Sequence, residues 1–253
     1  FMDTQEQTGR YRILNRDAIK YIAMFTMLLN HIAQIFMAPG AFWTLVLTDV
    51  GYFTAPVMCW FLVEGYGYTR SKKRYGLRLA AFAALSELPF CLAFTHGAVL
   101  SYYGMNMIFT LLLCFLILVA DEKIRSVPLR RLAKVGLTLL TVILPSDWNL
   151  LAPVYTMLFA WARGSRTRAK WAFFWAVVLF WGLLWMGGLA LPAWYNLATS
   201  LGGAAGVALA AVAILYLYNG RRAAHGRRFA QWFFYWFYPV HLLVLGLLRV
   251  ALM

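Results

Sequence analysis

Within the apolar stretches of this 253-residue chain stand a few side chains able to move a proton or hold a charge. They are His31, Glu64, Glu87, Asp147 and His241, together with the amides of Asn30 and Asn106 and the phenol of Tyr238. A histidine changes charge near neutrality, so it can serve as a base, a proton relay or a helix-to-helix hydrogen-bond donor. Thr26, Asn30 and Gln34 recur every four residues and stack on one helix face, with His31 beside that stripe. Tyr238 and His241 are three apart, and the intervening Pro239 leaves the Tyr235 carbonyl without its helical donor and predicts a kink. Pro145 ends an apolar run just before Ser146-Asp147-Trp148-Asn149, which puts Asp147 on a short connection able to fold back. Glu64, near Arg70 and Arg78, can equally pair with an arginine at the membrane surface. Cys59, Cys91 and Cys114 are isolated and read as free buried thiols, not as a disulfide framework or a metal site.

The elements that must position these groups are apolar runs of about twenty residues separated by short basic patches. With 63% hydrophobic and 13% charged residues, the chain reads as an all-α, polytopic membrane helical bundle. The net charge of +14 would raise the question of nucleic acid in a soluble protein, but its distribution argues against such a partner. Arg10–Lys20, Arg70–Arg78, Lys123–Lys134, Arg163–Lys170 and Arg221–Arg228 hold all the Lys and Arg except Arg249. The intervening connections, near Pro39–Asp49, His96–Gly104, Pro145–Asn149 and Gly187–Asn196, have none.

Basic connections mark the cytoplasmic side, so the N-terminus is expected inside and the C-terminus outside. About nine transmembrane helices are expected, centred near residues 28, 60, 86, 111, 140, 156, 180, 207 and 240, the fifth and sixth being short. Residues 1–17 read as a basic cytoplasmic segment and 18–253 as one transmembrane domain. The first apolar run is too long for a cleaved signal, and no internal repeat is visible. At ~1.5 Å per residue from the nearest basic boundary, His31 lies ~16 Å deep, Glu87 ~14 Å and His241 ~20 Å. Glu64 lies in the cytoplasmic third, and Asn106 and Asp147 lie towards the outer face. Ionisable groups at such depths cost ~2.5–3.5 kcal/mol or more, so they are expected to line a shared polar interior.

Five strings occur in order: IAMFTMLLNHI (Ile22–Ile32), the run Ala55–Phe90 with its FLVEG, TRS and SELPF segments, NMIFTLLL (Asn106–Leu113), SDWNLLAPV (Ser146–Val154) and FYWFYPVHLLVL (Phe234–Leu245). Along nearly its full length the chain resembles the TraX family. That resemblance implies a bacterial inner-membrane acetyltransferase. Acetyl-CoA would be the donor, and the acceptor would be an amine or hydroxyl at the outer face, such as a pilin N-terminus or a surface glycan. It makes 18–253 an acyltransferase-like domain. The family's first motif reads Asp-His, and here Asn30 precedes His31, which removes a negative charge.

Acyl transfer needs a base and an oxyanion donor. Under the resemblance His31 is the expected base or acetyl carrier, oriented by Asp147 or Glu87. Asn30 and Asn106 are oxyanion or substrate donors, with Glu64, Tyr238 and His241 completing the pocket. Arg70, Lys72, Lys73, Arg74 and Arg78 are expected to hold the phosphates of the cofactor. The alternative is a proton-coupled transporter in which the same Glu and His residues form a relay. Membrane lipids are partners under either reading.

Overall fold

The computed structural model describes residues 11–253; residues 1–10 of the expected N-terminal segment lie outside the described residues. The helices are α1 (Arg16–Phe36), α2 (Phe42–Gly51), α3 (Thr54–Tyr68), α4 (Lys72–Phe94) and α5 (Met107–Lys123). They continue as α6 (Val127–Ile143), α7 (Leu151–Trp161), α8 (Arg166–Gly187), α9 (Ala193–Val212) and α10 (Arg227–Ala251). A π turn, Ala213–Leu217, prolongs α9. Every one of the nine expected centres falls inside a helix.

Six helical stretches among the described residues are long and apolar enough to cross a membrane. They are α1, α2 with α3 taken together, α4, α8, α9 with its π turn, and α10, and α7 is a shorter apolar helix. The chain is thus a multi-pass helical membrane protein. The connection expected around Pro39–Asp49 is instead largely the helix α2. Pro39-Gly40 turns the chain, Thr44 Oγ1 bonds back to the Ala38 carbonyl (2.8 Å), and the apolar run then coils directly into α3. Polar side chains start several helices: Asn15 caps α1, Ser71 caps α4, Asn106 caps α5 and Ser165 caps α8.

The chain divides into two compact units. The first holds α1, α2, α3 through Met58, α8, α9 and the start of α10 through Gln231. In it α2 approaches α9 across Gly206, where a Cβ would lie 2.0 Å from the Asp49 carbonyl oxygen. Gly202 accommodates the Asp49 carboxylate in the same way, and Gly203 the Leu184 side chain of α8. Against α1, Thr54 Oγ1 donates to the Ala23 carbonyl (2.8 Å) and meets Thr26 Oγ1 (3.2 Å). After the π turn, Tyr218 forms a parallel bridge with Leu14, and Asp17 accepts a bond from the Ala223 N–H (2.9 Å).

The second unit holds the rest of α3, then α4, α5, α6, α7 and α10 from Trp232. Phe115 of α5 packs on Gly76 and meets the rings of Tyr66 and Tyr75 edge-on. Phe82 stacks on Tyr235 at 4.9 Å, and Gly246 sits against Leu92 and Ala93, seating α10 on α4. Pro239 lies inside α10, which nonetheless continues helical to Ala251. Arg249, outside the five basic clusters, donates to the carbonyls of Leu92 (3.0 Å), Ala98 (3.2 Å) and Val99 (2.8 Å). It closes the carboxyl end of α4, where helix carbonyls lack intrahelical partners.

Candidate functional site

The polar centre of the second unit is built on the first turn of α5. Asn106 is fully buried and extended (φ −72, ψ 165), and its Oδ1 accepts from the N–H groups of Ile108 (3.0 Å) and Phe109 (3.2 Å). Capping with the oxygen aims Nδ2 the other way. It donates to the Ala83 carbonyl (2.8 Å) and to Oε2 of Glu87 (2.6 Å), which also accepts from the Asn106 backbone N–H (3.3 Å). One oxygen of Glu87 is thus fixed by two N–H donors. The other, Oε1, faces the Cys91 thiol at 3.8 Å, a weak donor.

Next in the ring is Tyr238, whose hydroxyl accepts from the Met107 N–H (3.1 Å), one of the α5 amides left without a helical acceptor. Asp147 and Glu87 both lie within electrostatic reach of that phenol. Asp147 is carried there by the connection between α6 and α7, which pairs with residue 105. Met105 N–H bonds to the Pro145 carbonyl (2.8 Å) and Asp147 N–H to the Met105 carbonyl (2.9 Å). Gly104 makes this pairing possible, with φ +145 and space for only a hydrogen beside the Pro145 oxygen, 2.6 Å from where a Cβ would stand. Thr110 Oγ1 donates to the Asp147 carbonyl (2.7 Å), and the Trp148 N–H reaches the carboxylate. Trp148 (φ 57) and Leu150 (φ 55) hold left-handed backbone that costs ~1–2 kcal/mol per residue for side chains with a Cβ.

His241 stacks on Phe237 (4.8 Å) and meets Tyr238 edge-on (5.7 Å). Its Nδ1 lies 2.7 Å from the Phe237 carbonyl, which can only accept, so Nδ1 carries the hydrogen and the basic lone pair falls on Nε2. Glu87, Asn106, Asp147, Tyr238 and His241, expected from sequence to line one polar interior, therefore gather in one unit from α4, α5, α10 and a connection. Cys91, Thr110 and the Met107 amide belong to the same ring and were not among the expected residues. Only contacts made by folding α5 against α4 and α10 reveal them.

His31 and Asn30 belong to the first unit, and His31 is buried in α1. Asn30 donates from Nδ2 to the Thr48 carbonyl (2.8 Å) and accepts at Oδ1 from Gln34 Nε2, as the four-residue stripe predicts. A Cβ on Gly51 would lie 2.1 Å from the Asn30 Cβ, so Asn30 ties α1 to α2 at the closest approach of the two. Glu64 is buried in α3, at 3% exposure.

Of the basic candidates, Arg70, Lys73 and Arg74 are exposed. Lys72 is already matched. Its ammonium lies 3.0 Å from Glu122 and 4.1 Å from the centre of the Tyr66 ring, and Tyr66 also donates to Glu122. The Tyr66 hydroxyl, then the Lys72 ammonium, hold the Glu122 carboxyl down at about 2. From sequence Glu122 reads as merely solvated, because its partners are 56 and 50 residues away.

A family model described as TraX protein matches residues 15–249. The "Probable fimbrial assembly protein FimC, serogroup H1" of Dichelobacter nodosus is 31% identical over 235 residues, covering 90% of this chain and 92% of that protein. No solved structure matches.

Proposed function

The chain belongs to the TraX family, and on that premise we propose that it is a transmembrane acetyltransferase of the bacterial inner membrane. It takes the acetyl group of cytosolic acetyl-CoA and delivers it to an amine or hydroxyl presented at the outer side. The fimbrial assembly relative favours a pilin N-terminus over a surface glycan as acceptor. In the proposed topology nine segments cross the bilayer, with the N-terminus and all five basic clusters on the cytoplasmic side.

The observation that carries this reading is Glu87, one oxygen clamped by Asn106 and the other turned to a weak donor, inside a part-buried ring with a phenol and an imidazole of fixed tautomer. Such a group is positioned for proton transfer before any substrate arrives. In the transfer itself the nucleophile forms a new bond to the acetyl carbon, and the carbon–sulfur bond breaks. The nucleophile's proton passes to the base, and the CoA thiolate leaves to be protonated. Glu87 or Asp147 is assigned to steering that proton. Tyr238 is assigned as donor to the reacting oxygen, His241 as acceptor through Nε2 from the nucleophile's N–H or O–H, and Asn106 as the group that positions Glu87. His31, from the family motif, is assigned as base or acetyl carrier, and Asn30 and Glu64 are positioning groups.

The test uses purified chain in lipid nanodiscs with acetyl-CoA and a peptide bearing a free N-terminal amine. Wild type should release CoA and acetylate the peptide, while Glu87→Gln and His31→Ala should each slow turnover by at least about a hundredfold with folding intact. Absence of thioester turnover, with proton-coupled flux in proteoliposomes, would replace the enzyme by a transporter.

A further inference from the structure

The second unit holds one buried cationic donor that its own fold leaves unused among the described residues. Arg78 lies in the second turn of α4, and its Nε–H is buried with no hydrogen-bond acceptor there. The guanidinium carbon stands 5.7 Å from the centre of the Tyr75 ring and 6.0 Å from that of Tyr235. The Tyr235 ring is held in turn by Phe82, which stacks on it and also meets Trp236 edge-on at 5.3 Å. The guanidinium is therefore flanked by aromatic groups, one of them packed in place, and no carboxylate among the described residues pairs with it.

Its neighbours differ from it. Lys72 and Lys123 share Glu122, at 3.0 and 3.6 Å. Arg130 and Lys134 share Asp121, at 3.8 and 2.9 Å. Arg70, Lys73 and Arg74 are exposed. A charged donor shielded from water without an acceptor is costly, and a planar guanidinium matches the oxygens of a phosphate.

We propose that Arg78, between Tyr75 and Tyr235, is a phosphate-binding site, and that it, not the matched Lys72, makes the principal phosphate contact of this unit. Assigning that phosphate to CoA rests on the acetyltransferase reading; a lipid headgroup carries the same chemistry. The fold shields Nε from water, and the half-buried fork is left to the ligand. Tyr235 lies one helical turn before Tyr238, so α10 contributes to this site and to the polar ring alike.

The experiment has two arms, both on the full chain. In phosphatidylcholine nanodiscs, CoA is titrated by calorimetry. In a second set without CoA, retention of phosphatidylglycerol is measured by native mass spectrometry. Arg78→Gln should weaken CoA binding at least tenfold, and Arg78→Lys, which keeps the charge and tests the case where the Gln variant misfolds, should weaken it by a smaller factor. Arg131→Gln, which removes one exposed charge elsewhere, should change it less than twofold. Loss of phosphatidylglycerol retention with CoA affinity unchanged supports the phosphate site and assigns it to lipid. If wild type neither binds CoA nor turns over its thioester, yet retention depends on Arg78, the site stands and the acetyltransferase reading falls. Unchanged binding in both arms, in folded Gln and Lys variants, overturns the site itself.

Discussion

Asn106 offers the sharpest test, because its two polar ends do different things and can be separated. Asn106→Ala removes the cap on Ile108 and Phe109, typically worth ~1 kcal/mol. It also removes the side-chain donor to Glu87, and hydrogen bonds to charged groups contribute ~1.5–3 kcal/mol. The sum is roughly 3 kcal/mol, which in a chain of this size lowers the melting temperature by about 6–12 °C. Asn106→Asp keeps the cap but places an oxygen where Nδ2 faced Glu87 and the Ala83 carbonyl. It should therefore destabilise at least as much as the alanine, although it conserves the capping oxygen.

Adding Glu87→Gln to the Asn106→Asp variant restores a donor opposite an acceptor, with the roles exchanged. The double variant should recover about half of the loss, a coupling of roughly 1–2 kcal/mol. Melting is followed by tryptophan fluorescence in nanodiscs for all four members of the cycle, with CoA release measured alongside. Additive losses, or an Asn106→Asp variant as stable as wild type, would refute the clamp. The proposed role of Glu87 would lose its geometric support with it.

Asn30→Asp restores the residue of the family pattern, yet it sets an oxygen against the Thr48 carbonyl and should cost ~1–3 kcal/mol, read as a lower melting temperature. Gly206→Ala forces a Cβ onto backbone that cannot yield and should cost about 3 kcal/mol or more. Gly182→Ala, which meets nothing within 4 Å, should leave monodisperse yield and melting unchanged. The Glu122 carboxyl, held at about 2 against an ordinary 4.5, contributes stability that is complete above pH 4.5 and is lost as pH falls through about 2. Glu122→Gln should flatten the melting-versus-pH curve between those limits. The change should be small, because the group is exposed.

The helices were legible because hydrophobic length and basic punctuation are local properties, so all nine expected centres fell within helices. What escaped was set by packing. α2 reads as a connection because Pro39-Gly40 precedes it and only ten residues follow before the chain turns into α3. Its identity as a helix depends on Gly51 and Gly206 admitting neighbouring helices. For the candidate site, the residue types were legible from the cost of placing them in hydrocarbon, and five of them do gather in one ring of the second unit. Their partners were not legible. Glu87 and Asn106 are 19 residues apart, and nothing in either string says that the capping oxygen of Asn106 will turn its nitrogen onto that carboxylate. Likewise the five clustered cations of the α3–α4 region look alike in sequence. Only Tyr66 and Glu122, brought in by α3 and α5, distinguish Lys72 from Arg78.

The π turn at Ala213–Leu217 bears on how this chain can vary in length. A π turn holds one residue more than the α-helical path it replaces, and that surplus rotates everything after it by about 100°. Here the rotated segment is the one that brings Tyr218 beside Leu14 and the Ala223 amide to Asp17. Removing one residue between 213 and 217 would restore α-helical winding and leave the α9 face upstream in register, at the expense of those two fastenings and of the Arg16 N–H bond to the Arg221 carbonyl (2.8 Å). A single-residue gap in relatives is thus most readily absorbed at this point, and a relative carrying one should also differ at the positions equivalent to Leu14 and Asp17.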